Sequence, residues 1–442
     1  MATEATAGAE RQDRSTSVDP DYPLAEVPAG ARRGLVSLLV VLLGFTFFTP
    51  TMLAGAQIGV AFSFGDFLWV ILLGSIILGG YVAVLATIGA RSGLTTVLLS
   101  RYTLGTGGAK WADLLLGGTQ VGWFAVTVAF LAQLLAEALG ITGLTWLFMI
   151  VGGVLMGVTA YYGYRGMEIL SAVSVPLLFV LAFWVLARAL GEVGGWGGLS
   201  AVEPTETMAL GTALTIVVGT FASGGTQTPN WSRFARRPWQ GFVAALAAFF
   251  LANMLMLFFG AVGAIAFQES DFVAVLLQLN LVVAAVLLLL FNLWTTNDNA
   301  AYAFGVAGAE LCDVDRKRPF VVGGVAIGIV LALTGVYDLL PQYLLLLGVF
   351  IPPLGGAIIG DYLFVWRGRL PELASVEFRR FRWSAIAAYV LATVVAFVSS
   401  RAEVGIPPLH GVVVAALAVP LLEWLLGRFG VDQRPRVRAS TE

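Results

Sequence analysis

The 442-residue sequence has little of what most enzyme sites are built from. Its single cysteine, Cys312, excludes an intrachain disulfide and a cysteine-based metal site. Its single histidine, His410, makes a histidine metal site or a histidine proton relay unexpected. Only 12% of the residues are charged, and a net charge of −2 leaves no basic surface for nucleic acid. Walker, Gly-x-Ser-x-Gly and His-Glu-x-x-His motifs are missing too, so neither ATP-driven nor hydrolytic chemistry is expected.

Hydrophobic residues, by contrast, make up 58% of the chain, a composition typical of a polytopic helical membrane protein. Residues 1–31 are polar and lack the apolar centre of a signal peptide, which predicts a disordered cytosolic tail. Twelve apolar segments are each long enough to cross a bilayer at ~20 residues per span. They are 34–59, 67–90, 111–139, 144–162, 167–190, 208–234, 242–267, 281–307, 320–335, 343–366, 383–398 and 412–429.

The basic residues support this count. With the N-terminus inside, all of the 25 lysines and arginines except Arg188 and Arg401 fall on the cytosolic side. This is the positive-inside bias of membrane proteins, and a missed or extra span would scramble it downstream. We therefore predict an all-α protein of the plasma membrane with twelve transmembrane helices, both termini cytoplasmic, and the lipid bilayer as its partner.

The most polar stretch of any span lies at 292–299 (NLWTTNDN). Asn292, Thr295, Thr296 and Asn299 share one helix face by their i, i+3, i+4, i+7 spacing. Their hydroxyl and amide oxygens suit a hard cation such as Na⁺, and asparagine also suits a small polar ring. The alternative is hydrogen bonding that only joins helices. Six polar residues within eight, including the acid Asp298, favour a site.

Two spans look broken. The first carries Gly44 and Pro50 around its middle, and the sixth carries a glycine- and threonine-rich run that ends at Pro229. Either interruption alone is also explained by a static kink. The two spans, however, open successive five-helix blocks, and paired interruptions at matching positions indicate an inverted-repeat transporter with a site at the midplane. In span ten, the double proline at 352–353 predicts a bend that is either a moving gate or a static kink. Asp361, further along, is expected near the inner face and solvated.

Span three offers a surface for a flat ring. Gln120 and Trp123 are three residues apart and share a helix face. An amide beside an indole provides both a hydrogen-bonding edge and a stacking surface, and Phe221 of span six is a candidate for the opposite face. The alternative for both aromatic residues is packing between helices.

The segments 115–124 (LLGGTQVGWF), 292–299 and 351–353 (IPP) resemble the nucleobase:cation symporter-1 family, and within it the bacterial cytosine permeases. Similarity extends to 43–48 (LGFTFF), 93–96 (GLTT) and 217–221 (VVGTF). The resemblance implies a LeuT-type fold with two inverted five-helix repeats plus two peripheral helices. It also implies Na⁺-driven uptake of a nucleobase, cytosine or a close pyrimidine. No cofactor, nucleic acid or obligatory protein partner is expected. The polar run 223–231 (SGGTQTPNW) departs from the pattern expected of the cytosine permeases. This difference concerns the inner gate and the choice of base.

By the same resemblance, roles are carried over to matching residues of this chain. The base would be held by Gln120, Trp123, Phe221, Ser223 and Asn297, with Trp123 and Phe221 on its two faces. The cation would be held by the backbone carbonyls of Gly44 and Phe47 and by oxygens of Asn292, Thr295 and Thr296. Asp298 and Asn299 are left to brace the surrounding helix.

The implied organisation has five parts: the tail 1–31, a first repeat 32–190, an inverted second repeat 207–367, two extra helices 381–429 and a cytosolic tail 430–442. Alternatives keep the fold but change the cargo to uracil, a purine, hydantoin or allantoin, or replace Na⁺ with protons. A receptor that binds a nucleobase without transporting it is a more distant alternative. A membrane enzyme is not expected, because no nucleophile–base pair is visible.

Overall fold

The computed structural model describes residues 21–267 and 282–438, and these are mostly helical. Two short strands, β1 (Val376–Glu377) and β2 (Arg436–Val437), pair antiparallel near the C-terminus. The helices are α1 Leu35–Thr46, α2 Thr49–Gly59, α3 Phe64–Ser92, α4 Thr96–Ala138, α5 Thr145–Tyr161, α6 Tyr164–Glu192, α7 Trp196–Ala201, α8 Leu210–Gly219, α9 Ala222–Thr226, α10 Pro229–Ser232, α11 Pro238–Phe267, α12 Val282–Leu311, α13 Arg318–Leu333, α14 Leu340–Phe350, α15 Pro352–Gly360, α16 Trp383–Arg401 and α17 Pro407–Arg428.

Among the described residues, eight helices are long and apolar enough to cross a membrane, and the bent pair α1 and α2 makes a ninth. The apolar helices α8 and α13 are shorter. Every predicted segment coincides with a helix or a broken helix, although the predicted start at residue 281 lies outside the described residues. The protein is therefore a multi-pass helical membrane protein, and the count of twelve spans stays a prediction.

Both predicted breaks are present. α1 ends at Thr46 and α2 begins at Thr49, with an angle of 55° between them and Phe48 in an extended conformation. The sixth predicted span is divided into α8, α9 and α10, and Phe221 interrupts it with a non-helical backbone. Pro50 and Pro229 each occupy the first turn of the helix after a break, where a missing N–H costs no hydrogen bond.

The third span begins earlier than predicted. α4 starts at Thr96, whose neighbour Thr95 caps it by accepting from the Leu98 N–H at 3.1 Å, and it bends at Gly105, where φ is +84°. A β-carbon at Gly105 would lie 2.7 Å from the Arg379 carbonyl oxygen, so only glycine allows the loop to approach this closely. The first turns of α4 carry polar residues, so their sequence gave no transmembrane signal.

The predicted solvation of Asp361 was wrong. Its side chain is 1% exposed and pairs with Arg382 at 2.6 Å. Arg382 also contacts Glu423 of α17 at 3.2 Å. The arginine belongs to the segment just before α16, so this buried group ties the last two helices to the end of span ten. The predicted bend at the double proline is a break at Ile351, between α14 and α15.

Close packing fixes the broken first span against α11. A β-carbon at Gly55 would lie 2.1 Å from the Leu257 carbonyl oxygen, and one at Gly260 would lie 2.0 Å from that of Met52. The two helix backbones therefore touch, as small residues permit in membrane proteins. This contact holds α2 in place and leaves the break beside it facing α4 and α12.

Candidate functional site

The breaks in the first and sixth spans meet α4 and α12 around a small cavity. The space open to water inside this cavity is about 10 Å³, which is room for about one water molecule. The walls combine four aromatic rings with hydroxyl and amide groups. They are Phe45, Phe48, Gln120, Trp123, Thr127, Thr220, Phe221, Gly224, Thr296, Asn297 and Ala300.

A hydrogen-bonded group fixes the amide of Gln120. Its Nε2 donates to the Ser223 hydroxyl at 3.2 Å, and Gln227 Nε2 donates to the same oxygen at 3.3 Å. The hydroxyls of Ser223 and Thr119 are 2.5 Å apart. Gln120 lines the cavity, whereas Ser223 holds Gln120 from behind. The structure thus brings these two predicted base ligands together and adds Thr119 and Gln227, which sequence reasoning did not assign.

Asn297 also lines the cavity, and the two ends of its amide differ in their contacts. Its Nδ2 donates to the Phe124 carbonyl oxygen at 3.3 Å and lies 3.2 Å from the Met156 sulfur. Since the carbonyl needs a donor, this contact sets which end of the amide is nitrogen. The Oδ1 atom is buried and finds no donor within the described part of the chain. A buried amide oxygen without a partner costs free energy, so a ligand that offers an N–H would stabilise the site.

The predicted aromatic pair has a third ring beside it. The Phe48 ring centroid lies 5.4 Å from that of Trp123 and 6.0 Å from that of Phe221. Tyr343 packs on Trp123 at 5.6 Å, and its hydroxyl donates to the Thr119 carbonyl oxygen at 2.5 Å. Sequence reasoning missed both residues, although the position of Phe48 next to the proline-marked break was a usable signal.

The predicted cation ligands lie where α1 meets α12, and the Thr296 hydroxyl contacts the Phe45 carbonyl oxygen at 3.2 Å. The Thr296 hydroxyl lies 3.5 Å from the Gly44 carbonyl oxygen, and the Thr295 hydroxyl donates to the Asn292 carbonyl oxygen at 2.8 Å. The Phe47 carbonyl oxygen is 2.6 Å from the Asn292 side-chain nitrogen. All of these oxygens are neutral, a donor set that suits a hard monovalent cation. No cluster of three or more acidic, cysteine or histidine side chains that could hold a metal occurs in 21–267 or 282–438.

The Asn292 side chain spans the break in the first helix. Its Oδ1 accepts from the backbone N–H of Thr49 at 2.9 Å and from the Thr49 hydroxyl at 2.8 Å, while its Nδ2 donates to the Phe47 carbonyl oxygen. The N–H groups of a first helical turn and the last carbonyls of the preceding helix have no partner within their helix. Asn292 supplies both partners, so its side-chain oxygen is already used and its backbone carbonyl remains as the candidate ligand.

Asn299 acts within its own helix. Its Nδ2 donates to the Thr295 carbonyl oxygen at 2.8 Å and to Asp298 Oδ1 at 3.2 Å. Neither residue lines the cavity. This geometry agrees with a bracing role beside the cation ligands rather than direct contact with a base.

Sequence comparison finds a matching family model and similar proteins of known name. A family model described as "permease for cytosine/purines, uracil, thiamine, allantoin" matches residues 26–427. The cytosine permease of Escherichia coli (strain K12) is 38% identical over 425 residues, which cover 96% of this chain and 99% of the relative. The cytosine permease of Escherichia coli O157:H7 is 38% identical over the same shares.

Two solved structures share the fold. MHP1, a nucleobase-cation-symport-1 family transporter in a closed conformation with bromovinylhydantoin bound, superposes with a TM-score of 0.80 at 18% identity, covering 91% of this chain and 95% of that one. MhsT in complex with L-phenylalanine gives a TM-score of 0.59 at 14% identity, covering 88% and 97%.

Proposed function

The chain belongs to the family of permeases for cytosine, purines, uracil, thiamine and allantoin, and from that premise we propose that it imports cytosine together with Na⁺. It is a transporter and not an enzyme, as its relatives are permeases. The proposed mechanism is alternating access, in which one central site opens to each side of the membrane in turn.

One observation carries the choice of a nucleobase: the unpartnered Oδ1 of Asn297 in an aromatic-walled cavity that Gln120 also lines. Cytosine offers an amino group and a ring N–H as donors and a flat ring for stacking. Asn297 would accept one N–H, Gln120 would bond the same edge, and Ser223 would hold Gln120 in place. Trp123 and Phe221 would face the two sides of the ring.

The cavity as it stands holds about one water, so a base requires it to widen. Phe48 contacts both predicted stacking rings and sits at the break of the first span, where the backbone is already extended. We assign the widening to movement of the Phe48 ring away from Trp123. This movement links base entry to the same break that carries the cation ligands.

Na⁺ would bind between α1 and α12. The carbonyl oxygens of Gly44, Phe47 and Asn292 and the hydroxyls of Thr295 and Thr296 would face the ion. A single Na⁺ that moves down the membrane potential gains about 2.3 kcal/mol per 100 mV. At 1.4 kcal/mol per tenfold, one ion sustains a base gradient of about fifty-fold.

The proposed topology has twelve spans with both termini in the cytoplasm. Residues 32–190 and 207–367 would form the two inverted repeats, and α16 and α17 the peripheral pair. The breaks of the first and sixth spans occupy equivalent places in these repeats, which supports the assignment.

Counterflow in proteoliposomes tests the proposal. Vesicles preloaded with cytosine should exchange labelled cytosine when Na⁺ is present, and uracil, adenine, hydantoin and allantoin added outside should compete less well. Asn297→Ala should abolish exchange, whereas Ser174→Ala, which removes a buried hydroxyl of α6 bonded only to the Leu170 carbonyl, should keep it. Preferential exchange of another ring compound would support transport but contradict cytosine as the substrate.

A further inference from the structure

A groove runs between α5 and α13 on the outside of the helix bundle. Its volume is about 400 Å³, and its walls are aliphatic apart from two tyrosines. A β-carbon at Gly157 would lie 2.7 Å from the Val325 side chain, so the two helices touch at the floor of the groove. Val154, Val158 and Val322 line it and are about half exposed. In a membrane, this groove therefore opens towards the acyl chains of the lipid.

The two tyrosines close the groove at its predicted cytoplasmic end. Tyr161 is the last residue of α5, and Tyr162 follows it. The guanidinium of Arg318, at the start of α13, lies 4.9 Å from the centre of the Tyr161 ring. Amphipathic side chains of this kind concentrate where hydrocarbon meets the lipid head groups. From Tyr161 to Val154, the groove extends about 10 Å along α5 at 1.5 Å per residue.

A polar cavity of about 550 Å³ begins beside the groove, and Tyr162 lines both spaces. The segment before α1 contributes Arg32 and Arg33 to its wall. The start of α6 contributes Tyr164 and Arg165. An apolar groove and a basic cavity thus share a boundary, which suits a ligand with an apolar tail and an anionic head.

Two ion pairs account for part of the charge at this cavity. Asp21, the acid in its wall, is paired with Lys317 at 3.3 Å. Arg33 is paired with Glu168 at 2.7 Å, and its guanidinium lies 4.5 Å from the centre of the Tyr164 ring. These four charged side chains balance one another.

Arg32 and Arg165 give the cavity its net positive charge. Within residues 21–267 and 282–438, neither forms an ion pair with a carboxylate. Arg32 donates to the Ala90 carbonyl oxygen at 2.9 Å and to that of Ala235 at 3.4 Å, which positions its guanidinium without neutralising it. Arg165 is exposed. An anion in this cavity would meet two guanidinium groups, the side-chain group best suited to phosphate.

We propose that the groove and the polar cavity together form a binding site for an anionic phospholipid. An acyl chain lies in the groove between α5 and α13, and the head-group phosphate lies in the cavity with Arg32 and Arg165. Basic pockets beside transmembrane helices bind anionic head groups in this way. The occupant is a lipid and not a soluble phosphate compound, because the basic cavity adjoins an apolar groove that is open to the membrane.

Native mass spectrometry of the full-length protein in detergent tests this site. The anionic probe is dioleoyl phosphatidylglycerol, the zwitterionic probe is dioleoyl phosphatidylcholine, and glycerol phosphate supplies a head group without chains. The first phosphatidylglycerol should bind about 20-fold more tightly than the first phosphatidylcholine. Glycerol phosphate should not bind over the same concentration range. Equal affinity for the two lipids would contradict the head-group site, and glycerol phosphate binding as tight as that of phosphatidylglycerol would contradict a lipid as the occupant.

One pair of variants tests the head-group cavity. Arg165→Gln removes an unpaired positive charge, so phosphatidylglycerol should bind about fivefold more weakly while phosphatidylcholine binding is unchanged. Arg91→Gln is the matched control, because Arg91 is exposed at the same predicted side and does not line the cavity. Wild-type affinity of Arg165→Gln for phosphatidylglycerol would overturn the head-group assignment.

A second pair tests the groove. Ala326→Phe places a ring in the groove and should weaken the binding of both lipids. Ala172→Phe makes the same change at an exposed position of α6 outside the groove and should weaken neither. All four substituted positions are exposed, so the variants should unfold at the wild-type temperature in lipid-free detergent. Wild-type lipid affinity of Ala326→Phe would overturn the assignment of the groove, and no outcome depends on cytosine or Na⁺.

Discussion

The side chain of Asn292 gives the sharpest prediction, because a cation ligand and a structural brace respond differently to its loss. Asn292→Ala removes three hydrogen bonds to the break of the first span: two from Thr49 and one to the Phe47 carbonyl oxygen. It leaves the Thr49 N–H and the Phe47 carbonyl buried without partners. Each orphaned group costs about 1–3 kcal/mol, so the broken helix should lose roughly 3 kcal/mol of stability.

That loss should appear before any ion is added. In Na⁺-free buffer without a base, thermal unfolding of purified Asn292→Ala should begin at clearly lower temperature than in the wild type. If the whole 3 kcal/mol falls on the arrangement that binds the ion, apparent Na⁺ affinity should drop by about two orders of magnitude, at 1.4 kcal/mol per tenfold. Na⁺-dependent cytosine binding measures this second effect on the same sample.

Thr295→Val is the matched control. The Thr295 hydroxyl donates only to the Asn292 carbonyl within its own helix, so its removal leaves the break intact. Thr295→Val should weaken Na⁺ binding while ion-free stability stays within about 0.5 kcal/mol, as for most substitutions away from a special structural feature. Equal ion-free stability of Asn292→Ala and the wild type would refute the bracing role.

Three further predictions concern other parts of the molecule. Trp123→Ala should weaken cytosine binding by about 1–3 kcal/mol, because it removes a stacking surface, whereas Trp123→Phe should keep most of the affinity. A binding titration that shows no loss for Trp123→Ala would exclude stacking on this ring. Arg382→Met leaves the buried carboxylates of Asp361 and Glu423 without their shared arginine and should lower the free energy of unfolding by about 3–5 kcal/mol. Thermal unfolding in detergent measures this loss, and an unchanged melting temperature would contradict the ion-paired arrangement. Gly55→Ala forces α2 away from α11 and should lower the free energy of unfolding by about 1–3 kcal/mol. Gly65→Ala is the control and should be neutral, because a β-carbon there would have no atom within 4 Å. Equal thermal stability of the two variants would contradict the close packing.

Much of the helical architecture was predictable because membrane helices follow simple rules. Length and hydropathy located the spans, and Pro50 and Pro229 located the breaks, since proline and glycine release backbone groups that a bilayer does not satisfy. The first turns of α4 were missed because they are polar and carry no transmembrane signal. The bend at Gly105 depends on carbonyl groups that are brought close only by the fold.

The proximity of several candidate residues was predictable, whereas their individual contacts were not. Helix periodicity placed Asn292, Thr295 and Thr296 together, and resemblance supplied the residues from other spans. Neither periodicity nor resemblance showed that the Asn292 side chain is hydrogen-bonded to the break in the first span. This contact depends on the angle between α1 and α2. Neither showed Phe48 against Trp123, since a ring's position in a cavity is a matter of packing.

Buried charges were the least predictable. Asp361 was predicted to be solvated because it lies near the end of a span, but it forms a buried ion pair with Arg382. Asp113 and Glu310 were not singled out at all, as each is a lone acid at the end of an apolar segment. Both are buried in the fold, in which α4 packs on α12.

The most direct test of the central claim is binding of cytosine to the purified protein with and without Na⁺. The account predicts tight binding that requires Na⁺ and disappears in Asn297→Ala. Binding that is indifferent to Na⁺ would contradict the cation site at Gly44, Phe47 and α12 while leaving the base site in place. Absence of cytosine binding in either condition would contradict the proposed cargo.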